Sequence, residues 1–147
     1  MYKRIVVGLD GSTHSLKATA AAADLAERYG ADLHLLTVTR PYKVSPRLRQ
    51  YLEAENLLGE PKYVMDEMTN AIVSEAKEIA AKAGVKSVTT EVREGKPSRS
   101  IVDYANNIKA DVIVVGSRGV GELESALLGS VSQKVVLLSG CTVMVVR

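Results

Sequence analysis

Apolar residues along this chain fall into short unbroken blocks, separated by longer stretches in which they recur every three or four positions. Residues 5–9, Ile-Val-Val-Gly-Leu, are such a block, closed by Asp10-Gly11-Ser12, the pattern of a buried strand and a turn. Ser12 can cap the Ala-rich helix predicted from Thr13 to Tyr29, and Gly30 ends it. Leu33 to Val38 reads as the second strand. Residues 40–62 hold Pro41, Pro46, Gly59 and Pro61 among charged residues, and read as a long connection with one helical turn near Arg47–Leu57. The next helix places Val64, Met68, Ala71, Ile72, Ile79 and Ala83 on one core-facing stripe, and Gly84 closes it. Ser87 to Val92 alternates weakly as a third strand. Pro97 suits the first position of a helix that carries Ile101, Ala105 and Ile108 toward a core. Asp111 to Val115 is the clearest strand. After a Gly-punctuated loop, a last helix starts near Ser130 with Val131, Val135 and Leu138, and Thr142 to Val146 forms the final strand. No internal repeat or low-complexity segment is visible.

Strands that alternate with helices imply a parallel sheet covered by helices on both faces. Ligands of such sheets bind beyond the carboxyl ends of the strands, where the strand order reverses. Asp10, Val38 and Gly116 all fall at predicted carboxyl ends.

Composition narrows the class. With 147 residues, 46% hydrophobic and 24% charged, the chain can bury one core and forms one domain over residues 1–147. It has no Trp and no Phe, so that core is built from Val, Ile, Leu, Ala and Met. A net charge of +2 without a clustered basic face gives no reason to expect nucleic acid. The lone Cys141 forms no internal disulfide, consistent with a reducing compartment. Met1 leads directly into a strand-like run, so no signal peptide is expected. The longest apolar runs fall short of a membrane span, and the expected location is the cytoplasm.

The chemistry concentrates after the fourth strand. Gly116-Ser117-Arg118-Gly119 is followed, nine residues later, by Gly129-Ser130-Val131-Ser132. Glycines allow close backbone approach, and a Gly-Ser pair opening a helix presents N–H groups and a positive dipole end to an anion. The hydroxyls of Ser130 and Ser132 add donors. The pattern reads as a two-part phosphate cradle; the bland reading is a strand-to-helix loop with turn glycines. Competing phosphate motifs are missing. Gly95-Lys96 runs into Pro97 without the earlier glycine of a Walker loop, and Glu124 stands where the third glycine of a dinucleotide fingerprint belongs. Glu122 and Glu124 read as a solvated loop rather than Mg²⁺ ligands. His14 and His34 lack metal-ligand spacing. Arg118 fits a phosphate contact or a plain surface position equally well.

The spacing G-x2-G-x9-G-[ST] resembles the ATP-binding signature of the universal stress protein family. Four further segments are similar to that family in the correct order: Ile5-Val-Val-Gly-Leu-Asp-Gly-Ser12, Gly95-Lys-Pro-Ser-Arg-Ser-Ile101, Asp111-Val-Ile-Val-Val-Gly-Ser-Arg-Gly119 and Cys141-Thr-Val-Met-Val-Val-Arg147. The resemblance implies an open, doubly wound, five-stranded parallel sheet in the order 3-2-1-4-5, Rossmann-like and adenine nucleotide alpha hydrolase-like. It implies that Leu9 and Asp10 end the first strand at the ligand, Asp10 holding the ribose or approaching the adenine. Val38 would meet the adenine through its backbone. Gly116, Ser117, Arg118 and Gly119 would wrap the phosphates of ATP, ADP or AMP from one side, and Gly129, Ser130, Val131 and Ser132 from the other, with Mg²⁺ as a possible companion ion. It also implies a homodimer through the last strand, Thr142 to Val146. Two positions depart from the family: Thr142 stands where Pro usually follows Cys, and Gly8 replaces a frequent Pro, which should leave the end of the first strand looser.

Two function classes follow. One is a nucleotide-dependent regulatory or stress-response protein that binds ATP and passes its state to a protein partner. The other is an ATP hydrolase or self-phosphorylating enzyme. The sequence shows no general base beside the loop, so hydrolysis is expected to be slow and Mg²⁺-assisted at most. A response-regulator receiver is excluded, because Asp10 stands without acidic neighbours and the third strand ends at Arg93-Glu94.

Overall fold

A computed structural model describes residues 1–40, 46–54, 60–119 and 128–147. The elements run β1 (Arg4–Leu9), α1 (Thr13–Tyr29), β2 (Asp32–Thr39), α2 (Pro46–Ala54), α3 (Glu60–Lys82), β3 (Val88–Glu94), α4 (Pro97–Asn107), β4 (Val112–Gly116), α5 (Ser130–Leu138) and β5 (Thr142–Val146). The five strands form one parallel sheet in the order β3-β2-β1-β4-β5. This is the expected doubly wound topology.

Alternation along the two central strands decides which face each helix covers. Ile5, Val7, Val112 and Val114 pack with Ala18, Ala22, Ala23 and Ala26 of α1 and with Ala76 and Ala80 of α3. Val6, Ile113 and Val115 point the other way, against Ile101, Val102 and Ala105 of α4 and Val135 of α5. Helices on both faces bury Ile5–Val7 of β1 and Val112–Val115 of β4, which is why these stretches read as continuous apolar blocks. On α4, Tyr104 also reaches the sheet, its hydroxyl 2.8 Å from His34 Nδ1.

Local signals set the ends of α1. Ser12 Oγ accepts from the N–H of Ser15, and Gly30 takes the left-handed conformation (φ 61°) in which its N–H donates to the Ala26 and Glu27 carbonyls of the last turn. At the amino edge of the sheet, the Asp111 carboxylate accepts from the backbone N–H of Lys3 at 2.7 Å and of Arg4 at 2.9 Å, tying β4 to β1.

Several sequence expectations are corrected. The connection after β2 carries more than one helical turn: α2 spans nine residues and α3 begins at Glu60. On α3 the packed face is Thr69, Ile72, Ala76, Ile79 and Ala80, while Met68 is 56% exposed and Ala71 faces solvent. The helix carries more apolar residues than its buried face can hold; the side chain of Val64 lies outside the described residues. Leu138 ends α5 exposed rather than in the core. Gly8 continues the ladder opposite Leu36 of β2, while the pairing of β1 with β4 ends at Val7. Among the described residues, no helix is long and apolar enough to cross a membrane.

Candidate functional site

Register brings the carboxyl ends of β1, β2 and β4 to one edge: Leu9 is opposite Thr37, and Val7 is opposite Val114. The chain leaves β1 toward α1 on one face and leaves β4 toward α5 on the other, so a crevice opens between them. It holds a cavity of about 400 Å³, on the α4–α5 side of the sheet. Leu9, Asp10, Val38, Gly116, Arg118, Gly119, Gly129, Ser130, Val131 and Ser132 all line it. These residues come from four separate segments of the sequence.

Ser117 is placed differently. It is 2% exposed and does not line the cavity. Its N–H donates to the Val146 carbonyl at 2.7 Å, extending the pairing of β4 with β5. Its carbonyl accepts from the N–H of Gly129 and from the hydroxyl of Ser132, the latter at 2.9 Å. Ser132 also reaches the Gly129 carbonyl at 3.0 Å. The two halves of the predicted cradle are therefore stitched at their base through Ser117. In this arrangement the Ser132 hydroxyl hydrogen and the Gly129 N–H serve the stitch. Donors for an anion come from the first turn of α5, whose first intrahelical bond runs from Gln133 N to Gly129 O. Gly129 is the N-cap and brings no capping side chain. Residues 120–127, with Glu122 and Glu124, lie outside the described residues.

Asp10 closes the turn after β1. Its Oδ1 accepts from both the N–H and the hydroxyl of Ser12, the former at 2.9 Å. That bond draws the carboxylate to the start of α1, so its position is set by the cap of the helix. Arg118 donates from Nη2 to His14 Nε2 at 3.3 Å. His14 thus links the first turn of α1 to the arginine on the cavity wall. Among the described residues, no group of three His, Cys, Asp or Glu side chains is placed to hold a metal ion.

The sequence reading missed part of the wall. Gly8, Leu36, Ile101 and Val115 form its floor, and Ser15, Arg40 and Pro97 complete it. A signal existed for the floor. Leu36, Val38, Gly8 and Val115 share one face of the sheet by period-two alternation, the face on which α4 carries Ile101. Gly8 matters there, since a Cβ at this position would stand 3.0 Å from Ile101 Cδ1. Arg40 directly follows β2, but lies in a stretch that reads as connection.

Comparison with known proteins gives the chain its relatives. The model of the universal stress protein family matches residues 1–147. The universal stress protein YxiE of Bacillus subtilis is 36% identical, over the whole of both chains. Among solved structures, the universal stress protein UspA from Lactobacillus plantarum superimposes with a TM-score of 0.76 at 29% identity, covering 99% of this chain and 98% of its own. A universal stress protein crystallised in complex with cAMP gives a TM-score of 0.71 at 31% identity, covering 99% of this chain and 97% of its own.

Proposed function

We propose that this chain, which belongs to the universal stress protein family, is an ATP-binding regulatory protein whose nucleotide occupies the cavity at the carboxyl ends of β1, β2 and β4. One observation carries the reading: residues 9–10, 38, 116, 118–119 and 129–132, drawn from distant parts of the sequence, converge on one cavity of about 400 Å³. That volume lies within the range of small-molecule pockets, about 300–1,000 Å³. The chemistry is divided suitably. Leu36, Val38 and Ile101 offer an apolar surface for a base. Asp10 offers a carboxylate to the ribose or adenine. Ser130 and Val131 offer backbone at a helix N-terminus to phosphates, and Gly119 offers backbone from the loop after β4, with Arg118 as the cation. The relative bound to cAMP supports an adenine nucleotide as the ligand class.

Hydrolysis, where it occurs, is slow. Asp10 is the one carboxylate among the described wall residues, and its Oδ1 is held by Ser12. A Mg²⁺ ion here would be bound chiefly by the nucleotide phosphates, the usual habit of this ion. The protein acts in the cytoplasm as a homodimer joined along β5, and signals nucleotide occupancy to a protein partner.

Calorimetry on a Gly119→Val/Gly129→Val variant tests the reading. Side chains at these positions should block backbone approach and weaken ATP binding at least about tenfold, on the order of 1.4 kcal/mol. A folded double variant with unchanged affinity refutes the cradle. Denaturing the purified protein and identifying any nucleotide released would separate ATP from ADP and AMP as the resident ligand.

A further inference from the structure

A second hollow, of about 530 Å³, opens beside the first. Three cations stand in its wall, Arg40, Lys96 and Lys134, and among the described residues no acidic side chain does. They arrive from three elements. Arg40 follows β2, Lys96 is the N-cap of α4, and Lys134 lies one turn along α5 from Ser130, on the same helix face. All three are exposed, and none takes part in an ion pair among the described residues. Like charges gathered on a concave wall repel one another, and they concentrate anions in the hollow. Neither Lys96 nor Gly129 supplies a side-chain cap, so the first turns of α4 and α5 add their positive ends to the same region.

The two hollows share Arg40, Pro97, Ser130 and Val131. They therefore form one continuous groove, with Ser130 at the junction. A phosphate held at the start of α5 would lie at this junction, beside the hollow that Lys96 and Lys134 line.

We propose that this hollow is a second anion subsite that takes the distal phosphates of a nucleotide, so that the protein selects ligands by the length of their phosphate chain. The inference rests on the nucleotide reading of the first cavity and assigns what lies beyond it. AMP fills the cradle alone. ATP and longer polyphosphate chains reach the cations as well.

Titration of the full chain with AMP, ADP, ATP and adenosine 5′-tetraphosphate, without Mg²⁺, tests the subsite. Affinity should rise by about tenfold or more from AMP to the tetraphosphate, from added charge-assisted hydrogen bonds. A Lys96→Ser/Lys134→Ser variant, both positions solvent-exposed, should keep its circular dichroism and its affinity for AMP while losing that rise. Equal affinities along the series in the unmodified chain, or an undiminished rise in the variant, would overturn the subsite and leave the first cavity's reading intact. Failure of all four nucleotides to bind would remove both.

Discussion

His14 lies against Gly116 so closely that a Cβ at position 116 would stand 2.7 Å from the His14 Cβ and 2.8 Å from its carbonyl carbon. The first turn of α1 thus crosses directly over the carboxyl end of β4. The glycine that opens the predicted phosphate cradle has a second cause, independent of any ligand. Its missing side chain lets α1 sit where Ser12 can cap it and Asp10 can hold Ser12.

Gly116→Ala should therefore destabilise the protein even without nucleotide. Backbone atoms on α1 cannot yield as a flexible side chain would, so overpacking should cost about 1–3 kcal/mol. Chemical unfolding of the nucleotide-free protein measures this. A midpoint equal to that of the unmodified chain would show that α1 shifts freely.

Ser130 and Ser132 should separate on mutation, although the sequence treats them alike. Ser132 is 2% exposed, and its hydroxyl bridges the carbonyls of Ser117 and Gly129. Ser132→Ala should lower the stability of the free protein by roughly 1–2 kcal/mol, the cost of leaving buried acceptors short of a donor. Ser130→Ala should reduce nucleotide affinity with little effect on unfolding. If Ser132→Ala weakens binding while the free protein unfolds at its usual midpoint, the stitch through Ser117 is not what holds the loop base.

Much of this site was legible because each signal is local. Ser12 and Gly30 bracket α1 by capping chemistry, and the blocks at 5–9 and 112–115 are apolar on both faces because both faces are covered. Asp10, Val38 and the first glycine cluster lie at strand ends, which an open α/β sheet gathers at one edge, and the second cluster opens α5. What escaped depends on tertiary placement. Ser117 belongs to the motif in sequence, yet the continued pairing of β4 with β5 turns it beneath the cavity. Met68 and Leu138 match a helical stripe but lie beyond the reach of the sheet. Ile101 and Val115 read as core and are core, and the same surface is also the floor of a pocket. Lys96 and Lys134 are ordinary surface lysines until the fold sets α4 beside α5.

Acid should loosen the amino edge of the sheet through Asp111. Hydrogen bonds from the N–H groups of Arg4 and Lys3 hold its carboxyl below the usual carboxylate range. A depressed folded pKa means that the stabilisation is present above the ordinary carboxylate value and is lost as pH falls through the lowered one. The group is largely solvent-facing, so the contribution is modest. Asp111→Asn should lower stability at neutral pH and flatten the acid limb of the stability curve. Parallel acid limbs in the two proteins would contradict the assignment.

The two edges of the sheet are unequal, and this points to where a second copy would pair. β3 presents Glu91, Arg93 and Glu94, charges that blunt an edge. β5 is Thr142-Val-Met-Val-Val146, has β4 on one side, and carries no charge along its length. Beside it α5 leaves Val136, Leu137 and Leu138 exposed, Leu137 at 77%. An uncharged edge flanked by exposed apolar side chains is a template for association. A two-fold axis through β5 would pair the strands antiparallel, the commonest oligomer symmetry, and would leave both cavities open on the far side of β4. Val145→Lys should shift the protein toward monomer while preserving nucleotide affinity. Because Val145 also packs against the α4–α5 core, Leu137→Asp offers a second variant at an exposed position. Light scattering reads the outcome. A monomer for the unmodified chain at micromolar concentration, or a dimer unaffected by both substitutions, would place the interface elsewhere or remove it.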